Sequence, residues 1–173
     1  MNWLIFALMT VVSWGLYGIF LHSGQVAMAD KTNGLFKAFL FVGLAYFLTA
    51  VLAPLGMLVT RRADWNFPVA GMRWSLLAGI VGAAGAFCVL LAFGAKESPG
   101  PGVVMSIVFG GAPIINAVVA ISQNPPEGGW GAIRWPFYLG ILMAATGGCL
   151  VTFFKPAPAR PHAPAPPPIA AQK

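Results

Sequence analysis

Five residues with polar or helix-weakening chemistry stand inside long apolar stretches of this sequence: Trp14, Tyr17, Tyr46, Pro113 and Asn116. In residues 106–120, SIVFGGAPIINAVVA, Pro113 has no backbone N–H, so the carbonyl of Phe109 loses its helical donor, and Gly110 and Gly111 ease local unwinding. Asn116, one turn later, adds an amide that both donates and accepts. A carbonyl or amide without a partner costs several kcal/mol in hydrocarbon, so these groups must meet protein or a water-lined cavity. The chemistry this offers is neutral hydrogen bonding to a small solute. The competing reading is helix glue, in which Asn116 bonds a neighbouring backbone and Pro113 kinks a structural helix.

In the first stretch Thr10, Ser13, Trp14 and Tyr17 share a face, and Gly15 and Gly18 admit a helix or a ligand close to the backbone. Trp and Tyr also favour the headgroup region, so an interfacial anchor is the alternative for Trp14 and Tyr17. Tyr46 falls near the middle of the second stretch, where its hydroxyl needs a hydrogen-bond partner or a wet cavity. No Asp, Glu, Arg or His lies in the middle of any stretch, and the sequence shows no nucleophile–base pair, metal-ligand cluster or phosphate loop. Catalysis is therefore not expected, nor is a cofactor or metal. Cys88 and Cys149 lie inside apolar stretches, away from any CxxC spacing, and read as small apolar residues.

The elements that must position these residues follow from composition. Of 173 residues, 58% are hydrophobic and 8% charged, with a mean hydropathy of +0.80; a soluble domain carries about 25% charge. Five stretches, 3–21, 35–59, 74–95, 102–122 and 136–154, are each long enough for one helical span. The expectation is an all-α membrane protein: a bundle of five transmembrane helices over 1–154, then a disordered Pro/Ala-rich tail over 155–173, KPAPARPHAPAPPPIAAQK. The first stretch lacks a preceding Lys or Arg and is longer than a signal-peptide core, so it reads as a retained helix despite the cleavage-like Ala27-Met28-Ala29.

The net charge of +6 forms no dense basic block, which argues for contact with a lipid bilayer and against a nucleic-acid partner. Arg61, Arg62, Arg73 and Arg134 fall on one side of five spans, and Lys31, Lys37, Lys96, Lys155, Arg160 and Lys173 on the other. That small bias leans towards a cytoplasmic C-terminus and leaves dual insertion, hence antiparallel dimers, open. Small residues recur along one stripe of three helices: Ser75, Gly79, Gly82 and Ala86 in the third; Ser106, Gly110, Pro113 and Ala117 in the fourth; Gly140, Ala144 and Gly148 in the fifth. These read as packing seams. Pro54 with Gly56 marks a bend in the second, and Lys37 snorkels from the start of that helix.

Five spans, Trp14-Gly15 late in the first helix, Gly110 to Pro113 with Asn116 in the fourth, and the glycine-rich YLGILMAATGGCLVTFF of the fifth together resemble one EamA-type unit of the drug/metabolite transporter superfamily, over about residues 3–154. The resemblance implies a multi-pass carrier of small neutral or amphiphilic metabolites acting by alternating access, with Trp14, Tyr17, Pro113 and Asn116 as substrate contacts; Tyr46 is added from its depth. Members commonly carry two inverted units, so a single unit implies a homodimer, an antiparallel one included, or a separate second five-helix unit. The expected location is the bacterial cytoplasmic (inner) membrane. The chain departs from the family pattern in the long link QNPPEGGWGAIRW before the last helix. A non-transporting membrane subunit of a larger complex is the alternative function.

Overall fold

A computed structural model describes residues 2–156, and among them it contains helices and connecting turns but no strand. Five helices are long and apolar enough to cross a membrane: α1 (Trp3–Ala27), α2 (Gly34–Thr60), α3 (Val69–Gly94), α4 (Pro101–Gln123) and α5 (Trp135–Phe153). The all-α, multi-pass architecture read from the sequence is the one observed. Beyond Pro156 the expected Pro/Ala-rich tail lies outside the described residues.

Helix ends follow local chemistry more than hydropathy. The Asn2 side chain accepts from the Leu4 N–H at 3.1 Å and caps α1. That helix runs through His22, Ser23 and Gln25, where the apolar reading stops, because no Gly–Pro break intervenes; it ends where Ala29 turns left-handed at φ 51°. α3 starts at Val69, earlier than expected, because extended Pro68 defines its start and Arg73 is tolerated within its first turns. α4 begins at Pro101 after Gly100 (φ 91°), and α5 carries Pro136 at its beginning, both positions where a missing N–H is harmless. α2 ends in a paired reversal: Arg62 N–H donates to Val59 O at 3.1 Å, and Ala63 N–H to Leu58 O at 3.0 Å.

The two prolines inside spans behave differently. In α2 the backbone widens to a π-helix over Phe47–Leu52, and the N–H of Ala53 reaches back to Leu48 O. Pro54 is the cause: the Ala50 carbonyl loses its ordinary donor and the turn before it expands to re-pair. The expected bend is thus a π segment. Pro113 sits within a helix that remains continuous from Pro101 to Gln123.

Packing is unequal along the membrane normal. Leu21 (α1), Ala38 (α2), Val89, Leu90 and Phe93 (α3) and Met105 (α4) form one buried cluster at the end of the bundle bearing the α1–α2 and α3–α4 connections. Leu90 is fully buried. Gly18 permits the close approach there, since a Cβ on it would lie 2.6 Å from Met105 Cγ. At the opposite end, residues 3–16 of α1, 43–57 of α2 and 69–85 of α3 are exposed without exception. The bundle is sealed at one end and splayed at the other.

α5 packs along α4 through the expected small-residue seam: a Cβ on Gly148 would stand 3.2 Å from Ser106 O and 3.4 Å from Gly110 Cα. The Lys155 ammonium donates to Pro99 O at 2.7 Å, tying the end of α5 to the α3–α4 connection on the sealed side. Nearby, Asp30 accepts from the Thr32 and Asn33 N–H groups (3.0 and 2.9 Å) and from Lys37 Nζ (2.7 Å). Those bonds, Lys37 foremost, hold the Asp30 carboxyl down at about 2.

Candidate functional site

Membrane helices satisfy their own hydroxyls first. Thr10, Thr49, Ser106, Ser122, Thr146 and Thr152 each donate to the carbonyl four residues back, at 2.7–2.9 Å, and Thr60 does the same to Gly56. These groups therefore ask nothing of a solute or a neighbouring helix. Three other polar atoms are buried without a hydrogen-bond partner among the described residues, all on α1: Tyr17 Oη, His22 Nδ1 and Gln25 Nε2. Their hydrogen-bonding capacity is unspent.

Two clefts flank this part of α1. One, of about 430 Å³, lies between α1 and α2 and is lined by Ser13, Tyr17, Phe20, Gly24, Phe41 and Ala45 among others. The second, of about 500 Å³, lies between α1, α4 and α5, with Gly15, Met105, Phe109, Gly110, Met143 and Gly147 in its wall. Both are apolar with few polar groups, the composition expected of a site for a small, largely hydrophobic molecule. Phe109, whose carbonyl Pro113 deprives of its helical donor, belongs to the second.

The five residues named from the sequence do not converge on one cavity of the single chain. Trp14 and Tyr17 stand together, ring centroids 5.6 Å apart. Tyr17 lines the α1–α2 cleft, and Tyr46 is the neighbour of Ala45 in its wall but is itself 47% exposed. Pro113 and Asn116 are exposed on α4 and line neither cleft. His22 and Gln25 were missed because polar residues late in a span look like its end. Their i, i+3 spacing inside a capped helix was the signal available.

What the arrangement can do is bind neutral groups by hydrogen bonding in an apolar setting. Among the described residues no three of His, Cys, Asp and Glu gather closely enough to share a metal ion. Compared with known proteins, the chain matches no family model, no curated sequence and no solved structure.

Proposed function

We propose that this chain is a half-size membrane carrier of small neutral or amphiphilic metabolites, resident in the bacterial cytoplasmic membrane and working by alternating access with a second five-helix unit. The observation that carries the reading is the two-ended bundle: four helices close on Leu90 at one end, while α1, α2 and α3 part company at the other. A carrier caught with one side shut has this form. The resemblance of the α1 and α4 motifs to an EamA-type unit points the same way, as does the absence of mid-span charge, which suits an uncharged cargo. Trp14, Tyr17, Tyr46, Pro113 and Asn116 are the proposed substrate contacts.

Area supports a second unit. The chain exposes 14188 Å². A compact protein of 18.2 kDa exposes about 8,100 Å², and the residues outside 2–156, even counted as unfolded chain, add at most about 2,700 Å². At least about 3,000 Å² of surplus remains, more than a standard interface takes from one partner. Gly71, Gly79 and Gly82 of α3 have nothing within 4 Å of where a Cβ would be. The same open glycine face favours the second reading, a non-transporting subunit docked in a larger complex.

Flux into reconstituted vesicles tests the proposal. Uptake of at least one metabolite should exceed that of empty vesicles, and Tyr17→Phe and Asn116→Leu should each reduce it several-fold. Uptake equal to that of empty vesicles across a broad metabolite panel contradicts it.

A further inference from the structure

We infer that the sealed end is the moving gate of the bundle, held closed by apolar contact and predisposed to open by the three unpartnered polar atoms buried in it. Placing the gate at this end rests on the carrier reading above; the two-state behaviour of the end itself does not.

Tyr17, His22 and Gln25 lie about 15, 8 and 3 Å from the C-terminal end of α1 at a rise of 1.5 Å per residue, so they are strung from mid-membrane to the sealed face. Between them on the same helix sit the buried residues Gly18 and Leu21, the second of them a member of the packed cluster. Tyr17 packs against that cluster, and the His22 ring meets the edge of Phe93 with centroids 6.1 Å apart. The contacts between helices at this end are mainly apolar, the Lys155 bond to Pro99 O being the polar tie, and Tyr17 Oη, His22 Nδ1 and Gln25 Nε2 find no protein partner there. Burying a donor or acceptor unpaired is unfavourable, so the closed form carries a standing penalty that hydration removes.

At the splayed end no side-chain polar atom among the described residues is buried without a partner. Its hydroxyls at Thr10 and Thr49 bond their own helices whether or not anything covers them. At the sealed end, admitting water satisfies groups that closure leaves unsatisfied. Two arrangements of similar free energy, one dry and apolar-packed, the other wet and hydrogen-bonded, are what a bistable element requires. The sealing layer is also thin: Leu21, Leu90, Phe93 and Met105 supply its bulk.

The test measures distance across this end without any solute. Spin labels go on Lys31→Cys and Glu97→Cys, in the two connections flanking the seal, in a Cys88→Ala, Cys149→Ala background in lipid nanodiscs. The parent protein should show a short major distance and a longer minor one. His22→Phe with Gln25→Leu removes two orphaned atoms and should shrink the longer population tenfold or more. Leu21→Asn adds a polar group to the same layer and should enlarge it. Loss of fold would broaden both variants alike, so shifts of opposite sign support the gate. A single narrow distance in the parent under all lipid conditions, broadening alike in both variants, or a longer population that neither variant moves, overturns it. Flux is read separately: a two-state seal without flux removes the carrier and keeps the switch, and flux with an immobile seal does the reverse.

Discussion

Leu90 and Leu76 lie on the same helix, about 40° apart around its axis and about 21 Å apart along it, yet one is fully buried and the other 67% exposed. Truncating each to alanine isolates what the sealed end contributes. In a soluble core Leu→Ala loses transfer free energy as well as packing, but lipid is as apolar as a protein interior, so in a membrane only the packing part remains. The deletion removes about 75 Å³ of side chain, and at about 24 cal/mol per Å³ of cavity this comes to about 2 kcal/mol for Leu90→Ala. Leu76→Ala trims a lipid-facing side chain and should stay within about 0.5 kcal/mol of the parent. Reversible unfolding in mixed micelles, or steric trapping in bicelles, resolves the difference. Equal costs at the two positions would refute the asymmetry of packing, and a larger cost at Leu76 would invert it.

The α4–α5 seam is testable by adjacent glycines. Gly148→Val drives a side chain into the Ser106 carbonyl and the Gly110 backbone, which cannot swing aside, and should cost about 1–3 kcal/mol in the same assay; Gly147→Val, with nothing within 4 Å, should be near neutral. The Asp30 turn should respond to acid. Because its carboxyl is lowered to about 2, the bonds to Lys37, Asn33 and Thr32 persist below the ordinary carboxylate range and are lost as pH falls through about 2. The Thr32 and Asn33 amide NMR signals should titrate with that midpoint, and a midpoint near 4 would show that the turn does not form.

The number and approximate placement of the spans were legible in the sequence because a chain in lipid must satisfy its backbone by helix formation over about 20 apolar residues. Their ends were less so. Hydropathy stops at Leu21, whereas the helix continues until Ala29 turns left-handed, and a charge at Arg73 does not mark a start that Pro68 sets. The small stripes of Ser106 and Gly110 and of Ala144 and Gly148 could each be read from spacing, since only small residues let backbones touch, but not that they face one another. Which seams stay empty could not: the α3 stripe looks uniform in sequence, but Ala86 is buried while Gly79 and Gly82 face open space. Nor could spacing tell that Pro54 would widen a helix to π geometry while Pro113 left one continuous. His22 and Gln25 were hidden because their importance lies in partners they lack, which no single-helix pattern records.

Accessibility along α3 tests the two-ended bundle most directly. Single cysteines from Val69 to Phe93, in a Cys88→Ala, Cys149→Ala background, are treated in proteoliposomes with a membrane-impermeant maleimide. In the unit separated from any partner, modification is expected at Gly71, Ser75, Gly79 and Gly82 from the splayed side, with rates at least tenfold slower at Ala86, Leu90 and Phe93. Uniform protection of the whole stripe, or modification at Leu90 as fast as at Gly79, would contradict it.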